Sequence, residues 1–248
     1  KLLVRAAGRP YIRSASFSVS AGTVLGMAGV RDSGTETLEL AVSGFLKPDS
    51  GSIKINGLDL AGKGPQAFRK AGSAYVNADR TGTAMALKLP LFDSLIIHAH
   101  RRFVSPSCMF FLNMKELKRW AEYIMEDAGV RGSIKSPADS FSGGMLQRLL
   151  LAREFAENPK LMILSEPGWG LDTAGRNELK SRIQLFTKRG GAVLLFSSDV
   201  DELLSLSDYI QVLRDGKTMD PLDVRRENQI RQTIAEAMMG TVSCNDIT

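Results

Sequence analysis

Cysteine is nearly absent: Cys108 and Cys244 are the two in 248 residues, far apart and without a C-x-x-C pair. That excludes a disulfide framework and a four-ligand zinc site, and it suits a reducing compartment. Histidine is as scarce. His98 and His100 have no Cys, His or acidic partner at metal-ligand spacing, so both read as part of a solvated helical segment and no metal site is expected. No apolar run approaches the ~20 residues needed to cross a bilayer, and the best candidates, 192–196 and 161–164, are strand-sized. A signal-peptide core, an internal repeat, a low-complexity tract and a basic run are all missing. The 32 basic and 27 acidic residues leave a net charge of +5, which reads as solvated surface rather than a nucleic-acid footprint.

What is present is ordinary globular composition, 44% hydrophobic and 24% charged, which rules out a disordered chain or a coiled coil. The length suits one large α/β domain or a core with a subdomain. The chain opens Lys1-Leu2-Leu3-Val4-Arg5 without an initiator Met, so it is read as a piece of something longer.

Residues 17–30 alternate apolar and polar before turning fully apolar at 24–28, which predicts an edge strand feeding a buried one. A helix is expected over 35–45, a short strand over 52–55 closed by Asn56-Gly57, and another strand over 74–76. Asn113 with Glu116 resembles a capping box, followed by Leu117, Trp120, Ala121, Ile124 and Ala128 at helical spacing. A second helix begins after Ser142. Strand 161–164, helix 174–188, strand 192–196, helix 200–206 and strand 209–213 then alternate, which implies a parallel sheet covered by helices. Asp215-Gly216 predicts a hairpin and 224–239 a terminal helix.

Between the first buried strand and its helix, Gly29-Val30-Arg31-Asp32-Ser33-Gly34 has the glycine frame of a phosphate-binding loop, or P-loop. Such a loop cradles phosphates with backbone N–H groups and a helix N-terminus; the plainer alternative is a tight strand-to-helix turn with no ligand. Downstream come Phe141-Ser142-Gly143-Gly144-Met145-Leu146-Gln147-Arg148, Leu161-Met162-Ile163-Leu164-Ser165-Glu166-Pro167 and Gly170-Leu171-Asp172. In that order and spacing they resemble the ATP-binding cassette (ABC) ATPase family over nearly the whole chain. Ala74-Tyr75-Val76-Asn77-Ala78-Asp79-Arg80-Thr81-Gly82 and the Ser142-Gly143-Gly144 helix start resemble the C-terminal half of tandem ATPases serving sugar, nucleoside and basic-membrane-lipoprotein-dependent importers.

The resemblance implies a P-loop ATPase α/β core with an antiparallel β edge near residues 1–57, and one ABC domain over 1–248. Its parts are expected at 1–76 (start of the core), 77–155 (helical subdomain), 156–220 (rest of the sheet) and 221–248 (C-terminal helix and tail). It also implies ATP and Mg²⁺, a second cassette, membrane permease subunits and, indirectly, an extracytoplasmic substrate-binding lipoprotein, at the cytoplasmic face of the cell membrane. Nucleic acid is not an expected partner.

The departures from the family pattern fall on its chemistry. Thr35 and Glu36 occupy the positions of the P-loop Lys, which pairs with β/γ-phosphates, and of the Ser/Thr that ligates Mg²⁺. Ala78 takes the place of the polar Q-loop residue, Ser165 that of the carboxylate that orders Mg²⁺, and Ser198 that of the switch His. Glu166 is retained where the family has its water-activating base, although a structural acid is an equal reading. Arg31 is a candidate for the missing cation, while Asp32 adds another acid. Tyr11 is nearest for adenine stacking, but core packing is expected of it. Hydrogen bonds to charged groups contribute about 1.5–3 kcal/mol each, so losing the Lys and one metal ligand weakens nucleotide binding by roughly two to four orders of magnitude.

Ser142, Gly143 and Gly144 are intact, and in the family they reach the γ-phosphate held by the partner's P-loop; Asp172 lies at the D-loop position that couples the two sites. The expected function is therefore asymmetric: a degenerate site of its own and a donated signature motif. Two other classes stay open, a non-catalytic dimerisation or regulatory module that binds no nucleotide, and a soluble ABC ATPase acting on nucleic acid or ribosomes. Phe92, Leu95, Ile96, Ile97 and Phe103 are candidates either for permease contact or for core.

Overall fold

The structure is a computed structural model that describes residues 2–4, 11–30, 33–79, 82, 84–104, 111–225 and 230–240. Strands β1 (Leu2–Val4), β2 (Ile12–Ala15) and β3 (Val24–Ala28) lead into helix α1 (Thr35–Val42). The hairpin β4 (Lys54–Ile55) and β5 (Leu58–Asp59), α2 (Pro65–Lys70) and β6 (Ser73–Val76) follow. Next come α3 (Leu91–Ile96), α4 (Met114–Asp127) and α5 (Gly143–Ala156). The chain then alternates through β7 (Leu161–Ser165), α6 (Thr173–Lys188), β8 (Ala192–Ser197), α7 (Val200–Leu206) and β9 (Tyr209–Arg214). It finishes with β10 (Lys217–Thr218), β11 (Leu222–Asp223) and α8 (Ile230–Met239).

The described residues of Lys1–Tyr75, Pro159–Glu166 and Glu178–Thr248 form one compact unit, and Val76–Asn158 with Pro167–Asn177 form a second. The first is built on a nine-stranded sheet ordered β1-β2-β10-β9-β3-β8-β7-β6, with β11 paired to β9. Strands β9, β3, β8 and β7 run parallel. Every residue of β3 and β8 is buried, which is why both read as unbroken apolar runs rather than alternating ones. Helix α1 lays Leu38, Ala41 and Val42 onto Leu25, Met27, Ile163 and Leu194. Each fully buried side chain of this kind contributes about 1.5–3 kcal/mol of transfer free energy.

The antiparallel edge differs from the expected one. Its pairs are β1 with β2, β10 with β9 and β11 with β9, so it draws on the two ends of the chain, while β4 and β5 form a separate two-stranded sheet. The expected strand over 17–23 does not form. Phe17 and Val19 pack against the core without pairing, and a turn intervenes where the Thr23 N–H donates to the Ser20 carbonyl (3.2 Å) and Gly22 takes φ 81°. At the other end, the turn that follows β11, with the Val224 N–H bonded to the Asp208 carbonyl (3.1 Å), occupies the beginning of the expected terminal helix. Helix α8 is described from Ile230.

In the second unit, α4 buries Leu117, Ala121, Ile124 and Met125, all on one face at helical spacing. Its cap is half of a capping box: the Asn113 side chain accepts the Glu116 N–H (3.2 Å), but Glu116 turns to Arg119 (2.7 Å). Helix α5 is buried over Leu149–Ala152, so its Arg153 lies inside, at 4% exposure, beside the fully buried Glu154. Arg153 donates to Glu154 Oε1 (3.0 Å) and to the Ser94 carbonyl (2.8 Å). His98 Nε2 is 3.6 Å from the same Glu154 oxygen. Contrary to its sequence reading, His98 is half-buried beside an acid rather than solvated. His100 bonds locally, its Nδ1 2.8 Å from the Ile97 carbonyl oxygen. Cys108 and Cys244 lie outside the described residues.

Candidate functional site

The glycine loop leaves the end of β3 and enters α1 in the first unit. Gly34 caps α1 with φ 100°, a conformation that favours glycine, and offers its carbonyl to the Leu38 N–H (2.9 Å). A Cβ on Gly29 would lie 2.5 Å from both Ser33 Oγ and Thr35 Cγ2, so position 29 has no room for a side chain. The turn after β9 holds the loop from behind: the Gly216 N–H donates to the Ser33 carbonyl (3.1 Å) and the Gly216 carbonyl accepts the N–H groups of Arg13 (2.8 Å) and Ser14 (3.0 Å). Ser33 Oγ is buried without a hydrogen-bond partner. Glu36 is an exposed acid in the first turn of α1, favourable toward the helix dipole and repulsive toward an anion. Arg31 and Asp32 lie outside the described residues. Tyr11 is 45% exposed, not core, and the Arg13 guanidinium stacks 4.9 Å from its ring centroid.

One turn beyond Glu36 stands an acid that sequence reasoning missed. Glu39 is 6% exposed; its Oε2 accepts the Ser165 hydroxyl (2.7 Å) and its Oε1 accepts the Tyr75 hydroxyl. Burial pushes the Glu39 carboxyl above its ordinary range; the Tyr75 and Ser165 hydrogen bonds pull it back in part, and the negative charges of Glu36 and Glu166 push it further up. Ser165, at the end of β7 and 4% exposed, is thereby committed to Glu39. The available signal was a buried serine closing an apolar strand, which requires a partner.

Parallel register brings the strand ends together: Ser165 pairs with Phe196, and Ser197 with Ala28 just before Gly29. Glu166 follows with φ 44° and its N–H on the Phe196 carbonyl (2.9 Å). Its carboxylate is tied locally, Oε1 accepting the Ser198 N–H (2.7 Å) and Oε2 lying 3.0 Å from Ser197 Oγ. Ser197 Oγ is also 2.6 Å from Glu202 Oε2, so one hydroxyl proton serves two carboxylates in turn. Ser198 is exposed and acts on Glu166 through its backbone N–H. Asp199 caps α7 by accepting the Asp201 and Glu202 N–H groups (2.9 and 3.3 Å).

The residues do not fit a magnesium–triphosphate. Carboxylates stand at Glu36 and Glu39, no lysine follows Gly34, and the Ser165 hydroxyl is engaged by Glu39. Among the described residues no cluster of His, Cys, Asp or Glu is arranged to hold a metal ion. A cavity of ≈ 670 Å³ in this unit lies against Phe17, Val19, Ile53 and Leu161.

The second unit carries the other set. Ser142 caps α5, its Oγ accepting the Met145 N–H (3.3 Å); Ser142 and Gly143 are exposed and Gly144 is half-buried. A Cβ on Gly144 would come 2.9 Å from the Gly170 carbonyl oxygen, and the buried Gln147 amide donates to the Pro167 carbonyl (2.8 Å). Helix start and 167–172 loop are thus one packed platform. Asp172 Oδ1 accepts the Gly175 N–H (2.8 Å), and Trp169 stands 68% exposed on the loop. Ala78 is exposed after β6 and offers no polar side chain. Of the apolar candidates in this unit, Leu95 is core, Ile97 is 53% exposed and Phe103 packs on Trp120 at 6.0 Å between ring centroids.

The sequence profile of the ABC transporter family matches residues 12–168. The nucleoside import ATP-binding protein NupA of Lactococcus lactis subsp. cremoris is 31% identical over 94% of this chain and 46% of its own length. A putative ribose/galactose/methyl galactoside import ATP-binding protein of Halalkalibacterium halodurans is 32% identical over 88% of this chain and 42% of its own. The chain therefore spans about half the length of the curated relatives it matches. A solved ATP-binding subunit of an ABC transporter superposes with a TM-score of 0.77 at 21% identity, covering 95% of this chain and 96% of that one, which establishes the shared α/β fold. With the family profile covering more than half its length and its motifs placed at the strand ends and helix starts described above, this chain belongs to the ABC transporter family.

Proposed function

We propose that this chain is one cassette of an ABC importer ATPase for a small solute such as a nucleoside, sugar or vitamin, with a degenerate P-loop site and a working signature motif. The observation that carries this reading is a difference in burial. Ser165 and Glu39 are bonded to each other inside the fold and Glu166 is tied to Ser197 and Ser198, whereas Ser142, which caps α5, and Gly143 lie at the solvent-exposed start of that helix. The two relatives described above bear the names of nucleoside and ribose/galactose importers and are about twice as long, which supports pairing with a second cassette in the same polypeptide. In this reading ATP and Mg²⁺ sit on the partner's P-loop. There, Ser142, Gly143 and the α5 N-terminus donate hydrogen bonds to the terminal phosphate, and Asp172 couples the sites. The helical unit, with Ile97 exposed, faces the permease subunits at the cytoplasmic face of the membrane, and an extracytoplasmic binding lipoprotein delivers the solute.

Calorimetric titration of this chain with Mg²⁺ and ATP tests the degenerate site: no micromolar binding is expected, and its appearance would refute the reading. In the longer protein, Gly143→Asp places a carboxylate against the partner's phosphates and is expected to abolish turnover. Normal turnover would leave the scaffold alternative, a module that binds no nucleotide in either role.

A further inference from the structure

We propose that Glu39, a residue outside every family motif, is what closes this chain's P-loop site to magnesium–nucleotide, by forming an inverted hydroxyl–carboxylate pair with Ser165. The inference rests on the degenerate-site reading and names its determinant. In the family pattern the helix supplies the hydroxyl, at the position of Glu36, and the strand supplies the acid, at the position of Ser165. Here the strand supplies the hydroxyl and the helix supplies the acid, joined at 2.7 Å with both partners buried. The Tyr75 hydroxyl fills the other carboxylate oxygen, so the pair ties α1 directly to β7 and β6. A metal-ordering acid must be ionised and must have its lone pairs directed outward. An acid restored at position 165 would instead meet Glu39 at hydrogen-bond distance, with Glu166 as the next residue, and two carboxyls so placed share a proton rather than both ionising. Restoring the motifs alone therefore does not restore the site.

The experiment compares two rebuilt chains, each carrying Thr35→Lys, Glu36→Ser and Ser165→Asp, one retaining Glu39 and the other with Glu39→Gln. Glutamine keeps the size, accepts from Tyr75 through its oxygen and donates its amide to the new aspartate. By calorimetry with Mg²⁺ and ATP the chain carrying Glu39→Gln is expected to bind at least about tenfold more tightly, since opposing an ionisation by one pK unit costs a factor of ten. Affinities equal within about threefold, or tighter binding with Glu39 present, would overturn the proposal. A melting cycle reads the same coupling without nucleotide. Ser165→Asp alone is expected to lower Tm more in the Glu39 chain than in the Glu39→Gln chain, and the gap should narrow as pH falls and the two acids share a proton. Equal losses in both backgrounds would overturn it even if the rebuilt chains fold poorly. Micromolar Mg²⁺–ATP binding by the unaltered chain would sink the degenerate-site reading itself, an outcome distinct from either of these.

Discussion

The P-loop region and the signature region keep their backbone frames alike and treat their side chains oppositely. Around the P-loop, the polar groups at the ends of β7 and β8 are bonded to neighbouring groups, Ser165 to Glu39, which also accepts from Tyr75, and Glu166 to Ser197 and Ser198, while Ser33 Oγ in the loop itself is buried without a partner. At the start of α5, the interior is fixed by Gln147 and Arg153, while Ser142 and Gly143 are solvent-exposed. Under the function proposed above, the first set serves the fold and the second serves a ligand, and burial is the observable that separates them.

The comparison can be broken hardest at the anchor of the signature helix. Arg153→Met strips the guanidinium from beside the fully buried Glu154, and should cost about 3–5 kcal/mol, read as a large drop in Tm. Gln147→Met takes from the Pro167 carbonyl the amide that donates to it. A loss of about 1–3 kcal/mol is expected in urea melts, with faster amide exchange over 167–172.

A change at Glu39 should differ in kind. Its folded-state pKa lies above the ordinary 4.5, so the native state binds the proton more tightly than the unfolded chain does. The stability it contributes is full below 4.5 and falls as pH rises through the folded value, by about 1.4 kcal/mol for each pH unit in that window. Glu39→Gln, a permanent mimic of the protonated acid, should match the parent at pH 4.5 and exceed its stability at pH 8, measured by melts across pH. The opposite order would show that the carboxylate is favoured inside. The smallest effect sharpens the contrast: Ser142→Ala removes the α5 cap and should cost about 1 kcal/mol, detectable as faster exchange of the Met145 amide.

Much of the fold was legible in the sequence. Strands β7 and β8 stand out because buried parallel strands are continuously apolar, and α5 because Ser142 marks its start. The short α2 and α3 were passed over, being only six residues each, and the hydrophobic alternation at Phe17 and Val19 marked packing rather than pairing. Sheet order was beyond reach because β9 brings the chain's two ends together through β10 and β2. Within the site, the substitutions at Thr35, Glu36 and Ser165 could be read by position. Glu39 could not, since the serine that explains it is 126 residues away in sequence and the two meet only when α1 lies on β7.

The turn at Gly216, bonded to the Ser33 carbonyl and to two amides of β2, gives the phosphate loop a permanent internal mould. Gly29 is demanded by the crowding of Ser33 and Thr35, and Gly34 by its backbone angle, whether or not anything ever enters. In this protein the glycine spacing is already required by how a strand hands over to a helix, so the glycines alone do not distinguish a nucleotide-binding loop from a plain turn.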